Sequence, residues 1–170
     1  EQTEFVKTFQ IAIQSGAILS VVFLYYRRFT RDFEAMKRVM VAFIPTAIIG
    51  FTLYKFIKQY LIGNSDIVLL SLFLGGLILI AVELLFQTQS LKPKTKNSQW
   101  SVVSGQLSYE KAFIIGLFQS VSMIPGVSRA AATIIGGLLV GLPRKTAVEF
   151  SFLLAVPTML AATALDLKET

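Results

Sequence analysis

Five long apolar runs dominate this sequence of 170 residues. Four of them, at about 9–26, 39–57, 67–86 and 147–165, have the length of one helical crossing of a hydrocarbon core about 30 Å thick. With 54% hydrophobic and only 15% charged residues, the composition excludes an ordinary soluble domain. The sequence therefore predicts an all-α, polytopic membrane protein in which residues 1–170 form a single membrane domain.

The fifth run, at 112–142, is too long for one straight crossing. As a single helix it would be about 46 Å long. Pro125 and Gly126 interrupt it and leave two halves of about 20 Å, each too short to cross. These lengths predict a re-entrant helical hairpin over 112–142. We expect Ser128 to begin the helix after the break and Ser108 to cap the helix before it.

Basic residues predict the orientation of the helices. The loops after the first and third runs are rich in Lys and Arg, so the positive-inside rule places both in the cytoplasm. A hairpin that turns back would leave Arg144 and Lys145 there too, whereas a crossing would put them outside. The net charge of +6 thus reflects membrane topology, and we expect no nucleic-acid partner. The loop residues are Arg27, Arg28, Arg31, Lys37 and Arg38, then Lys92, Lys94, Lys96 and Lys111.

A weak internal repeat supports the same arrangement. Residues 9–19 can be laid over 150–160, and with a re-entrant hairpin between them the two segments would cross in opposite directions. That is an inverted-topology repeat, with a site expected near the repeat interface. Chance alignment of two apolar helices explains the match equally well. Gln14, Ser15 and Gly16 would face the interface, where we favour close helix packing over substrate contact.

The chemistry is concentrated between Gln119 and Thr133. Arg129 lies inside the apolar run, where a charge costs about 2.5 to 3.5 kcal/mol and requires a polar partner or a cavity. The helix that starts at Ser128 would direct its free amides and its positive dipole end into the break. Gly126 allows close backbone approach, Arg129 offers a planar fork, and Ser128 and Thr133 add hydroxyls. The pattern predicts an anion site suited to a pyrophosphate.

From the residues alone, three interpretations stay open. The segment could be a Pro-kinked helix whose Arg129 snorkels or pairs with Glu83 or Glu149; it could be a transporter's anion site; or it could serve an enzyme. We expect Glu149 to form a structural ion pair with Arg144 or Lys145, and Glu83 to snorkel. The sequence contains no His and no Cys, so acid and base work would fall to other side chains.

The same segment resembles a known family signature. Met-Ile-Pro-Gly-Val-Ser-Arg-Ala-Ala-Ala-Thr at 123–133, followed by Glu-Phe-Ser-Phe-Leu-Leu-Ala-Val-Pro at 149–157, is similar to the second signature of the bacitracin-resistance type undecaprenyl-pyrophosphate phosphatases. The similarity extends over essentially the whole chain, including 7–19. It implies catalytic roles for Arg129, Ser128 and Thr133. It also implies pyrophosphate binding by Pro125, Gly126, Val127, Ser128 and Arg129.

The resemblance implies a multi-pass enzyme of the bacterial inner (plasma) membrane. Such an enzyme would remove the terminal phosphate of undecaprenyl pyrophosphate, recycling the lipid carrier of cell-wall synthesis, with a divalent cation (Mg²⁺ or Ca²⁺) and a site open to the outer side. Its partners would be this polyprenyl pyrophosphate lipid and membrane lipids. A homodimer is left open. The alternative is a transporter or flippase for a phosphate-bearing lipid or anion on the same scaffold.

One part of the family pattern does not occur in these residues. The family's first signature, a glutamate-rich segment followed by Pro-x-Ser-Ser-x-Gly-His, is absent from the sequence, as are the family's last helices. By the repeat, the counterpart of Ser128 falls before Glu1. We therefore expect the chain to be part of a longer protein, with the nucleophile and the metal ligands upstream and no metal ligand within these residues.

Overall fold

Helices make up all the regular secondary structure that the computed structural model describes, which covers residues 9, 13, 16–26, 32–56, 59, 65–86 and 107–169. The predicted all-α class is confirmed for these residues. A 3-10 turn, Val121–Met123, follows the fourth of the helices. The helices are α1 (Gly16–Tyr26), α2 (Phe33–Phe56), α3 (Ser65–Phe86), α4 (Tyr109–Ser120), α5 (Arg129–Leu139) and α6 (Arg144–Glu169).

Several sequence predictions fall outside the described residues. They concern two basic loops, two residues of the expected repeat interface and much of the first half of the repeat. The residues are Arg27, Arg28, Arg31, Lys92, Lys94, Lys96, Gln14 and Ser15, together with most of 9–15.

Three of the described helices are long and apolar enough to cross a membrane. The candidate spans are Phe33–Leu53, Ser65–Leu85 and Arg144–Ala164, whereas α1 and α5 are shorter apolar helices. The span in α3 is the most apolar of the three, and none of its residues is buried. A helix that exposes apolar side chains all round is unstable in water and stable in lipid. The described helices therefore fit a membrane protein.

Helices α2 and α4 lie side by side and run in the same direction. Near both starts, the Tyr109 hydroxyl donates to the Glu34 carboxylate at 2.9 Å. Farther along both helices, the Thr46 hydroxyl donates to the Gly116 carbonyl at 3.0 Å. Because the residue number rises on both helices from one contact to the next, the helices are parallel.

The crossing of α2 and α4 is close because Gly116 has no side chain. A Cβ atom at this position would lie 2.7 Å from Cγ of Pro45 and would also overlap the Ala42 carbonyl. Pro45 has no amide hydrogen to donate within α2, and its ring lies on the face that meets Gly116. The two backbones therefore touch directly, as small residues allow in membrane helices.

Helices α5 and α6 are antiparallel. Thr133 on α5 meets Ser151 on α6, and Gly137 packs against Ala147, so the number falls on α6 as it rises on α5. The turn between them is tight: the Leu142 amide donates to the Gly137 carbonyl at 2.9 Å. Gly141, with φ of +84°, ends α5 in the left-handed conformation that commonly closes a helix.

One buried cluster joins the starts of α2, α4 and α6. It contains Ala35 near the start of α2, Leu107 just before α4, and Leu142 and Ala147 on either side of the start of α6. Ser108 caps α4 as predicted, its hydroxyl accepting from the Lys111 amide at 3.3 Å. Leu142 also donates its amide to the end of α5. Helix α4 therefore starts, and helix α5 ends, at the same end of the bundle.

An ion pair joins α3 to α6. Arg144 Nη1 donates to Glu83 Oε1 at 3.0 Å, and Nη2 bonds to the second carboxylate oxygen. Arg144 thus binds Glu83, and the expected ion pair of Glu149 with Arg144 or Lys145 stays a prediction. Glu83, which we expected to snorkel, forms an ion pair with Arg144, and both side chains are half-exposed.

The α2–α4 contact predicts a difference between two Gly→Ala substitutions. Gly116→Ala should destabilise the protein by about 1 to 3 kcal/mol, because the added methyl group overlaps α2. Thermal unfolding of the purified protein in detergent measures this. Gly75→Ala on α3 is the matched control, because a Cβ there has nothing within 4 Å, and it should be neutral or slightly stabilising. Equal unfolding temperatures for the two variants would contradict the close packing.

Candidate anion site at the helix break

The break between α4 and α5 is a tight turn, which we call the tip and define as residues 124–128. The Val127 amide donates to the Ile124 carbonyl at 3.1 Å, and Gly126 has φ of +94°. Pro125 followed by a glycine with positive φ is the pattern of a type II turn. The order Pro125-Gly126 therefore sets the direction in which the chain leaves α4.

Gly126 lies directly against α3. A Cβ atom at this position would be 2.6 Å from the Val68 carbonyl oxygen and 3.1 Å from the Ser71 side chain. The expectation that Gly126 makes room for a ligand does not account for this contact, because the space beside its Cα is taken by α3. Both the positive φ and this neighbour require glycine here, and the contact fixes the tip against a second helix.

Ser128 begins α5, as predicted. Its hydroxyl accepts from the Ala131 amide at 3.3 Å, and its carbonyl accepts from the Ala132 amide at 3.0 Å. Among the described residues, no hydrogen bond is made by the next two amides, those of Arg129 and Ala130. Ser128 and Ala130 are exposed. Two free amides at a helix start, with the positive dipole end behind them, are the elements of an anion site.

Arg129 brings a full positive charge to the same helix start. It is the first residue of α5 and its side chain is half-buried. Its guanidinium makes no ion pair or hydrogen bond with the described part of the chain. The alternative in which Arg129 pairs with Glu83 is wrong, because Glu83 binds Arg144. A partly desolvated guanidinium with unused donors is suited to binding the oxygens of a carboxylate or a phosphate group.

Thr133 lies one turn behind the tip and does not join it. Its side chain is 1% exposed, and its hydroxyl lies 2.6 Å from the Ser151 hydroxyl on α6. The structure therefore brings five of the predicted site residues together and sets Thr133 apart at the α5–α6 interface. The five are Pro125, Gly126, Val127, Ser128 and Arg129.

Two polar residues near the tip were not found by sequence reasoning. Ser151 follows Glu149 by two positions, and nothing in its spacing identifies it. Gln119, 1% exposed, donates from its amide nitrogen to the Thr46 hydroxyl at 3.3 Å. The only signal for Gln119 was a carboxamide at the end of an apolar half-helix. The pair links α2 to α4 just before the tip.

The described carboxylates do not fit a divalent cation. Within the described ranges, no group of three Asp, Glu, His or Cys side chains comes together that could hold a metal ion. Mg²⁺ and Ca²⁺ require several oxygen ligands.

Comparison with known proteins gives consistent matches. The family described as "Bacitracin resistance protein BacA" matches residues 1–170. An undecaprenyl-diphosphatase of Aquifex aeolicus is 53% identical over 167 residues, which is 98% of this chain and 62% of that protein. The undecaprenyl-diphosphatase of Persephonella marina gives the same values. That of Campylobacter fetus is 46% identical over 98% of this chain and 61% of its own length. The chain thus spans about three fifths of the length of these curated relatives.

The contact of the tip with α3 predicts that Gly126 and Gly141 respond differently to substitution by alanine. Gly126→Ala and Gly141→Ala both force alanine into a positive φ, which costs about 1 to 2 kcal/mol. Only Gly126→Ala also overlaps another helix, since a Cβ at Gly141 has nothing within 4 Å. We expect Gly126→Ala to lower the unfolding temperature in detergent clearly more than Gly141→Ala. If the two variants unfold together, α3 does not hold the tip.

Proposed function

This chain belongs to the bacitracin resistance protein family, and on that premise we propose that its protein hydrolyses undecaprenyl pyrophosphate. In the net reaction, oxygen from water bonds to the terminal phosphorus and the bond from that phosphorus to the bridging oxygen breaks. The products are undecaprenyl phosphate, which keeps the bridging oxygen and is the lipid carrier of cell-wall synthesis, and inorganic phosphate. The relatives named undecaprenyl-diphosphatase support this substrate. The observation that carries the proposal is the helix start at which Arg129 and two free amides meet.

In this proposal, the tip stabilises the charge that develops during phosphoryl transfer. The transferred group carries its charge on three equatorial oxygens, so fixed donors directed at them lower the barrier. Arg129 supplies a planar pair of donors, and the amides of Arg129 and Ala130 supply two more. The Ser128 hydroxyl already accepts from Ala131, which leaves its proton free to donate to a phosphate oxygen.

We propose that the protein is a multi-pass protein of the bacterial inner (plasma) membrane. The three candidate spans and the exposed apolar surface of α3 support a membrane location. A substrate with a long polyprenyl chain requires a site that apolar chains can reach laterally. The tip meets this need, because it lies beside α3, whose surface is apolar and unburied.

We also propose that α4 and α5 form a re-entrant hairpin. Helix α4 has 12 residues and α5 has 11, about 18 and 16 Å, so neither could cross alone. The hairpin starts beside the start of α2 and ends beside the start of α6. The pairing of Arg144 with Glu83 brings the end of α3 to this same side. If Lys111 is cytoplasmic, Arg144 then is as well, in keeping with the positive-inside rule.

The depth of the tip supports a site that opens outward. Gly126 packs against Val68, which is 15 residues before Glu83 on α3, or about 22 Å along the helix. The tip thus lies near the end of α3 opposite to the ion pair. With Glu83 on the cytoplasmic side, this is the outer end, as the family resemblance implies.

The inverted repeat and the cation remain parts of the proposal. With Arg144 in the cytoplasm, α6 would run outward, and a helix over 9–26 that leads into a cytoplasmic loop would run inward. The described residues offer no group of side chains that could hold a metal ion. We therefore propose that any Mg²⁺ or Ca²⁺ is bound by carboxylates of other residues of the complete protein.

Removal of the arginine charge should abolish most of the activity. In the complete protein, purified in detergent, Arg129→Ala should lower phosphate release from undecaprenyl pyrophosphate by more than about a hundredfold. Arg129→Lys should recover only part of this, because an ammonium lacks the planar fork. Lys145→Ala removes a charge from an exposed position on α6 and should leave turnover unchanged.

Two outcomes would contradict the proposal. Near-normal turnover of Arg129→Ala would remove the tip from the mechanism. Binding of undecaprenyl pyrophosphate by the wild-type protein without phosphate release would favour the transporter or flippase.

Single cysteines should reveal the hairpin, because the 170 residues contain none. In a cysteine-free form of the complete protein, Lys111→Cys and Lys145→Cys should react only with a thiol reagent applied to the cytoplasmic side. Ser65→Cys, at the exposed start of α3, should react only from outside. Labelling of positions 111 and 145 from opposite sides would show that α4 and α5 together cross the membrane.

A further inference from the structure

We infer that Ser151 is a positioning residue for the anion site, which it orders through Thr133. The inference rests on the proposed function for its effect on turnover, whereas the contact itself is independent of it. Ser151 lies on α6 and is 8% exposed, and its hydroxyl is 2.6 Å from that of Thr133 on α5. Thr133 lies one turn after Arg129, so the link reaches the helix turn that carries the anion site.

The direction of the hydrogen bonds follows from their partners. Thr133 Oγ1 lies 3.0 Å from the Arg129 carbonyl and 3.1 Å from the Ala130 carbonyl, and carbonyl oxygens only accept. The single Thr133 proton is therefore donated to these carbonyls. The Ser151 hydroxyl, which makes no other hydrogen bond to a described residue, then donates to Thr133. In this order the hydroxyls of Thr133 and Ser151 both have partners, as buried polar groups require.

This chain of bonds changes the role of Thr133. Its proton is used by the backbone of the first turn, one of its lone pairs is used by Ser151, and its side chain is 1% exposed. The Thr133 hydroxyl thus holds the first turn of α5 against α6. The residues that touch the phosphate groups are those of the tip and the free amides.

Packing explains why a serine stands at this position. One turn away on the same interface, Gly137 lies against Ala147, where a Cβ would be 2.8 Å from the alanine Cβ. Helices this close leave room for small side chains only. Ser151 fits that space and also supplies a donor. Because a misplacement of about 1 Å at a reacting group can cost about a hundredfold in rate, such a link matters to a site built on helix amides.

Kinetics of four variants of the complete protein test the inference. Ser151→Ala and Thr133→Val should each lower kcat for phosphate release about tenfold or more with little change in KM. The double variant should be no slower than the slower single variant, because both break one link. Thr133→Ser keeps the hydroxyl and should restore most of the rate.

Thr158→Val is the matched control. Thr158 is also on α6 and also 8% exposed, but among the described residues its hydroxyl bonds only to carbonyls of its own helix, those of Leu154 and Ala155. It should keep turnover within about twofold of wild type. Wild-type kinetics for Ser151→Ala would overturn the inference. So would losses that multiply in the double variant, or a raised KM for Thr133→Val alone, which would make Thr133 a direct ligand.

Hydrogen exchange separates this inference from the proposed function. The amides of residues 132–134 should exchange faster in Ser151→Ala than in wild type, and should be unchanged in Thr158→Val. Unchanged exchange in both variants would overturn the link. If wild-type protein releases no phosphate, the proposed function fails, and the exchange comparison still decides whether Ser151 orders the turn.

Discussion

The close parallel packing of α4 on α2 is the contact on which the other features of the site depend. It exists because Gly116 lets the two backbones touch at Pro45, and the bond from Thr46 to the Gly116 carbonyl fixes the helices lengthwise. With α4 held along α2, the break that follows it lies away from the end of the bundle where both helices start. The return helix α5 then has to come back beside α6.

The same constraint explains how a short helix can carry a charge inside an apolar protein. Arg129 stands at the first position of α5, where the free amides and the helix dipole already favour a negative ligand. Gly126 holds the turn before it against α3, and Thr133 holds the turn after it against α6. The anion site is thus held from both sides by neighbouring helices. This arrangement suits a proposed enzyme whose main task is to stabilise phosphate charge.

Local features of the site could be predicted from the sequence because their causes lie within a few residues. The caps at Ser108 and Ser128 follow from a hydroxyl placed before a helical segment. The turn at Pro125 and Gly126 follows from a fixed φ next to a residue that tolerates a positive φ. The pairing of Arg144 with Glu83 could not be predicted, because the two residues are 61 positions apart and several carboxylates were available to the arginine.

The sequence by itself determined that this chain is helical, that it belongs in a membrane, and that an arginine and a helix start meet at one break. Run lengths, turn residues and the cost of a charge in lipid decide these points without reference to neighbours. Only the tertiary structure decided which helix lies against the break and where the hydroxyl of Thr133 points. Those facts depend on the rotation and offset of each helix against the next, which are set by the fit of many side chains at once.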